Sequence, residues 1–135
     1  MTTGDQRPDD LARLGATAIA LGRIAIGVGA AALTRPALKA LGFAEPDEAT
    51  VALARLAGGR DIALGLYGLS ARGDAAELRR SVLLGAAVDA VDAAAFTAAL
   101  VRSDGTDRPA AMNIPIAGAA VAVGVWVAAR LRPAA

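Results

Sequence analysis

Four apolar segments, Leu14 to Leu33, Val51 to Ala71, Val82 to Val101 and Ala110 to Ala129, leave this chain few ways to fold. Each has about twenty residues, the helical length that crosses roughly 30 Å of hydrocarbon at 1.5 Å per residue. In hydrocarbon every backbone amide must find a protein partner, and a helix supplies all of them within one segment. The expectation is an all-α, membrane-embedded bundle of four transmembrane helices, forming one domain over residues 1–135. The fourth segment carries no charge, whereas the second holds Arg55, Arg60 and Asp61. Composition agrees, because 56% of the residues are hydrophobic before the 15 Gly are added. An ordinary soluble domain has about half, Gly included. The polar, acidic start at Met1 to Asp10 is not a signal peptide, and the first apolar segment has the length of a span.

The connections carry turn and cap chemistry. Thr34-Arg35-Pro36 followed by Ala37 to Leu41 and Gly42 predicts a short amphipathic helix over about 36–41. Leu38, Leu41 and Phe43 are expected to dip from it into a membrane surface. Glu45-Pro46-Asp47-Glu48 places acids at the positive end of the next helix dipole. Arg72-Gly73 ends that helix, and Asp74-Ala75-Ala76-Glu77 has the form of a capping box. Ser103 to Pro109 makes a third polar turn.

Arginine and lysine set orientation. Arg7, Arg13, Arg72, Arg79, Arg80, Arg130 and Arg132 fall on one side of an up-down bundle, against Arg35, Lys39, Arg102 and Arg108 on the other. Both termini are therefore expected to be cytoplasmic in a multi-pass protein of the cell membrane. Tyr67 and Trp126 fall at the same interface.

Small residues mark the expected helix contacts, since Gly and Ala let backbones approach closely in lipid. The first segment offers Gly15, Ala18, Gly22, Ala25, Gly29 and Ala32. The second offers Ala54, Gly58, Asp61, Gly65 and Gly68, and the fourth Asn113, Ala117, Ala120, Gly124 and Ala128.

Six charges lie inside the spans: Arg23, Arg55, Arg60, Asp61, Asp89 and Asp92. Unpaired, at about 2.5 to 3.5 kcal/mol each, they would cost roughly 15 to 20 kcal/mol, so they must pair or line a wet cavity. Asp89 and Asp92 share one helix face, and Arg23 and Arg60 lie at a depth to meet them. Arg55 lies nearer the outer end, at a depth that suits Thr97 and Asn113 or allows it to snorkel. Asn113-Ile114-Pro115 adds an amide and a missing backbone donor to the same region. The polar layer thus comprises Arg23, Arg55, Arg60, Asp61, Asp89, Asp92 and Asn113.

The chemistry available to this layer is narrow. The chain has no Cys and no His, which removes disulfides, thiol chemistry, histidine bases and the usual zinc ligands. A net charge of +1 and 3% aromatic residues give no support for nucleic-acid binding. An enzyme would have to work with carboxylates and arginines alone, and neither a metal nor a cofactor is expected.

The run Arg55-Leu56-Ala57-Gly58-Gly59-Arg60-Asp61-Ile62-Ala63-Leu64-Gly65, with the helix of Asp89 and Asp92 after it, resembles small four-helix membrane proteins of unknown function. Those are similar in build to DoxX-like proteins. The resemblance implies the fold, the membrane location and weight on Arg60, Asp61 and Gly65, and it brings no activity. The residues themselves leave three readings. One is a binding module or accessory subunit for a lipid, quinone or other amphipathic molecule, in the bilayer alone, as a homo-oligomer or with a membrane partner subunit. The others are a small proton-coupled transporter and a purely structural membrane protein.

Overall fold

A computed structural model describes residues 6–102 and 107–131, with side chains from Asp10 onward. Ser103 to Thr106 of the third turn, and the side chains of Arg7 and Arg132 that enter the charge asymmetry, lie outside the described residues. Among those described there are five α-helices and no strand: α1 (Gln6–Ala32), α2 (Thr34–Ala40), α3 (Glu48–Ser70), α4 (Ala75–Arg102) and α5 (Asp107–Arg130), with a 3-10 turn at Ala71–Gly73.

Three of these helices are long and apolar enough to cross a membrane: α1 from Asp10 to Ala32, α4 and α5. The second expected span is a helix of 23 residues, α3, but it is not among the three. Every membrane-length window along it contains Arg55, Arg60 and Asp61 together.

Local chemistry sets the helix ends. Asp47 caps α3 by accepting from the Thr50 amide at 2.8 Å. Asp74 caps α4 by accepting from the amides of Ala76 and Glu77 at 2.7 and 3.0 Å. Bonds from Thr50 hold the Asp47 carboxyl below the usual carboxylate range, and the Glu77 and Ala76 amides do the same for Asp74. Only half of the expected capping box forms, because Glu77 turns away to accept from the Tyr67 hydroxyl and to pair with Arg80. Gly42 adopts φ 96° after α2, a conformation open to glycine, and a side chain there would also press on Pro109 and Met112.

The long helices form two antiparallel pairs. Between α1 and α3, Gly27 lies against Gly58 and Ala20 against Gly65. A Cβ on Gly58 would stand 2.7 Å from the Gly27 carbonyl oxygen, and one on Gly65 would stand 2.5 Å from that of Ala20. Between α4 and α5, Gly124 receives the Cβ of Ala86. The expected stripes on α3 and α5 are therefore contact faces. On α1 the stripe is a different one: Ala12, Ala16, Ala20 and Gly27 are buried, whereas Ala18, Ala25 and Ala32 are exposed and no neighbour stands above Gly22 or Gly29. In a helix this rich in Ala and Gly several faces carry small residues, and the partner helix selects among them.

The two pairs join at the end that holds the chain termini. Ala12 and Ala16, Ala71, Leu78 and Val82, and Val127, Ala128 and Leu131 make one buried cluster there. Arg13 donates to the Arg72 carbonyl and Arg79 to that of Ala128, which gathers basic residues at this end. Arg130 stacks over Trp126, with its guanidinium 4.4 Å from the ring centroid. At the opposite end the pairs part, and α2 lies across the gap.

The adjacent glycines of α3 test this packing. Gly58→Ala should lower stability by about 1 to 3 kcal/mol through overpacking. Gly59→Ala, with open space above it, should be neutral or raise stability by up to about 1 kcal/mol. Thermal unfolding of the two variants in the same detergent measures the difference.

Candidate functional site

An ion-pair layer crosses the middle of the bundle. Arg23 on α1 donates through Nη1 to Asp61 Oδ1 of α3 at 3.1 Å, and through Nη2 to Asp89 Oδ2 of α4 at 2.5 Å. Arg60 on α3 grips Asp92 of α4 with two parallel bonds, at 3.0 and 2.8 Å, and also reaches Asp61 Oδ1 at 3.5 Å. A planar guanidinium suits both tasks, since its fork matches a carboxylate or spans two of them. The Arg23 head lies flat over Gly85, where a Cβ would stand 2.9 Å from Nη2. Gly85 thus makes room for the guanidinium, a role that spacing in the sequence does not reveal.

The structure brings together five of the seven residues expected in the polar layer. Arg55 is exposed and donates at 3.4 Å to the Thr34 hydroxyl at the start of α2. It therefore leaves the layer, which is not balanced three against three: two guanidinium groups face three carboxylates. Asn113 lies further toward the loop end, where its amide donates to the carbonyls of Leu41 and Pro109 at 3.2 and 2.8 Å. It fastens the end of α2 to α5 instead of joining the ion pairs.

A cavity of about 810 Å³ lies between the helix pairs and extends to both sides of the layer. Arg23, Arg60, Asp61, Asp89 and Asp92 line it midway, with Leu38, Leu41 and Phe43 at the loop end and Ile19, Val82, Ala86 and Gly124 toward the terminal end. Leu38 is therefore buried against protein, at 6% exposure, and is not a membrane-facing anchor. The walls are apolar, from Ala30 and Ala57 to Phe96 and Ala120. Ile26, Leu53, Ile116 and Val123 line the cavity and are each more than half exposed, so it is not sealed.

Two carboxylate oxygens of the layer have no hydrogen-bond partner among the described residues. Asp61 uses Oδ1 for both arginines, and Asp89 uses Oδ2 for Arg23. Asp61 Oδ2 and Asp89 Oδ1 are not fully buried, and both residues line the cavity. No grouping of residues suited to a metal ion occurs among the described residues.

Arg23→Gln should destabilise the protein by about 3 to 5 kcal/mol, because it strands Asp89 and leaves Asp61 only its 3.5 Å contact with Arg60. Arg55→Gln removes an exposed charge and should change stability by less than about 1 kcal/mol. Unfolding curves of the two variants in one detergent give the comparison. No protein-family model, curated protein or solved structure matches the chain, and its geometry alone defines the site.

Proposed function

We propose that this chain is a four-span, multi-pass protein of the cell membrane that binds a lipid, a quinone or another amphipathic small molecule, alone or as an accessory subunit. The observation that carries the reading is the cavity, mainly apolar along its lining, crossed by one charged layer and left unsealed where Ile26, Leu53, Ile116 and Val123 are exposed. Such a pocket suits a ligand with an apolar body and one polar end, entering from the hydrocarbon.

In this reading α3 is the fourth span, inserted together with its neighbours. Its Arg60 and Asp61 face inward to partners, while Leu53, Leu56 and Leu66 face outward. The basic end formed by Arg13, Arg72, Arg79, Arg80 and Arg130 is cytoplasmic, in keeping with an excess of positive charge on that side. The reading includes the up-down course with both termini inside and the DoxX-like build that the resemblance around Arg60, Asp61 and Gly65 implies. A second reading is a small proton-coupled transporter, with Asp89 or Asp92 as the proton-carrying carboxylate and Arg60 as its counter-ion; the open oxygen of Asp89 and the Arg60–Asp92 pair support it. In that case flux in proteoliposomes is lost in Asp89→Asn and Asp92→Asn, while a static binding module gives no flux in any variant.

Two measurements test the main reading. Native mass spectrometry from a mild detergent should release a lipid- or quinone-sized adduct, and protein free of any adduct would overturn the proposal. An isolated Val51 to Ala71 segment in a translocon assay should insert poorly, by roughly 5 kcal/mol. Efficient insertion on its own would contradict the assisted-insertion account of α3.

A further inference from the structure

The charge of the cavity narrows what it binds. Its only charged lining residues are Arg23 on α1, Arg60 and Asp61 on α3, and Asp89 and Asp92 on α4. From α2 the lining side chains are Leu38 and the following Leu41 and Phe43, and from α5 the polar one is Asn113. Three carboxylates therefore meet two guanidinium groups in a space whose other lining is apolar apart from Thr50 and Asn113. Arg35 and Lys39, the basic residues of α2, pair outside the cavity with Glu48 and Glu45. Arg55 is turned toward Thr34. Among the described residues no further cation lines the cavity.

The unpartnered oxygens lie where that surplus falls. Asp61 Oδ2 and Asp89 Oδ1 flank the Arg23 fork and are not fully buried. A carboxylate in low dielectric is stabilised most by an opposite charge that also donates hydrogen bonds. An anionic head would add a fourth negative group, and a neutral head would leave the surplus uncompensated.

We infer that the cavity receives an amphipathic monocation, an ammonium head on an apolar tail, with the head donating to Asp61 and Asp89 and the tail running up to Leu38, Leu41 and Phe43. From Asp61 to Thr50 the α3 wall rises about 16 Å at 1.5 Å per residue, room for an extended alkyl chain. The inference rests on the binding-module reading and specifies the charge of its ligand. It also gives Arg23 a positioning role, since Arg23 holds the two aspartates side by side without neutralising both.

The test compares decylamine with decanol and decanoate, which share the chain length and differ in the head. Full-length protein in nanodiscs of zwitterionic lipid is unfolded thermally with each probe, beside Asp89→Asn in the same lipid, so that partitioning into the bilayer cancels. Decylamine should raise the midpoint of the wild type most. Asp89→Asn should remain folded, since it deletes the surplus charge, and should weaken the decylamine response about tenfold in concentration. If decanol or decanoate stabilises the wild type as well as decylamine does, or if the response of Asp89→Asn is undiminished, the inference fails while a binding module stands. If none of the three stabilises the protein, the inference fails, and the adduct in the native mass spectrum decides the binding module separately. Should Asp89→Asn not fold, Asp61→Asn takes its place, and the three probes on the wild type decide the matter by themselves.

Discussion

The Arg23 guanidinium is the point on which the bundle turns. It stands on one helix pair, at Gly85 reaches the other, and joins α1, α3 and α4 through two carboxylates. A charge at that depth has no stable arrangement without partners. The requirement extends outward: Asp61 and Asp89 must be brought to it, Gly85 must lack a side chain, and α1 must lie close enough to α3 for Asp61 to reach. The glycine contacts at Gly27, Gly58 and Gly65 meet the last condition. Arg60 and Asp92 add a second bridge between the pairs, more exposed than the first.

The cavity is a consequence of how unevenly the two pairs are fastened. Small side chains close the terminal end tightly, and ion pairs hold the middle. Toward the loop end neither device continues, and the pairs diverge. There α2 and its following turn bridge the gap, held by the Asn113 amide and by the backbone turn at Gly42. A mainly apolar cavity crossed by one charged layer arises from these three fastenings together.

Much of this was legible in the residues. Apolar length gave the long helices, acids and turn residues gave their starts, and depth along each span paired Arg23 and Arg60 with the aspartates. The contact face of α1 was not legible, because Ala and Gly repeat on several of its faces and no large residue distinguishes one. Leu38 reads as a membrane anchor in isolation, since amphipathicity states that a side chain leaves water and not whether lipid or protein receives it. Arg55 carries the same formal charge as Arg23, but six residues before Asp61 it lies about 120° around α3 from it, on the side where Thr34 receives it.

The sequence by itself determined a helical chain of membrane-protein build whose interior charges must find one another, because hydrocarbon penalises both free amides and free charges wherever they occur. Tertiary structure alone decided that two arginines and three aspartates meet, with two oxygens left open within a mainly apolar cavity. Pairing depends on which side chains converge in space, and spacing along one helix fixes only which of its residues share a face.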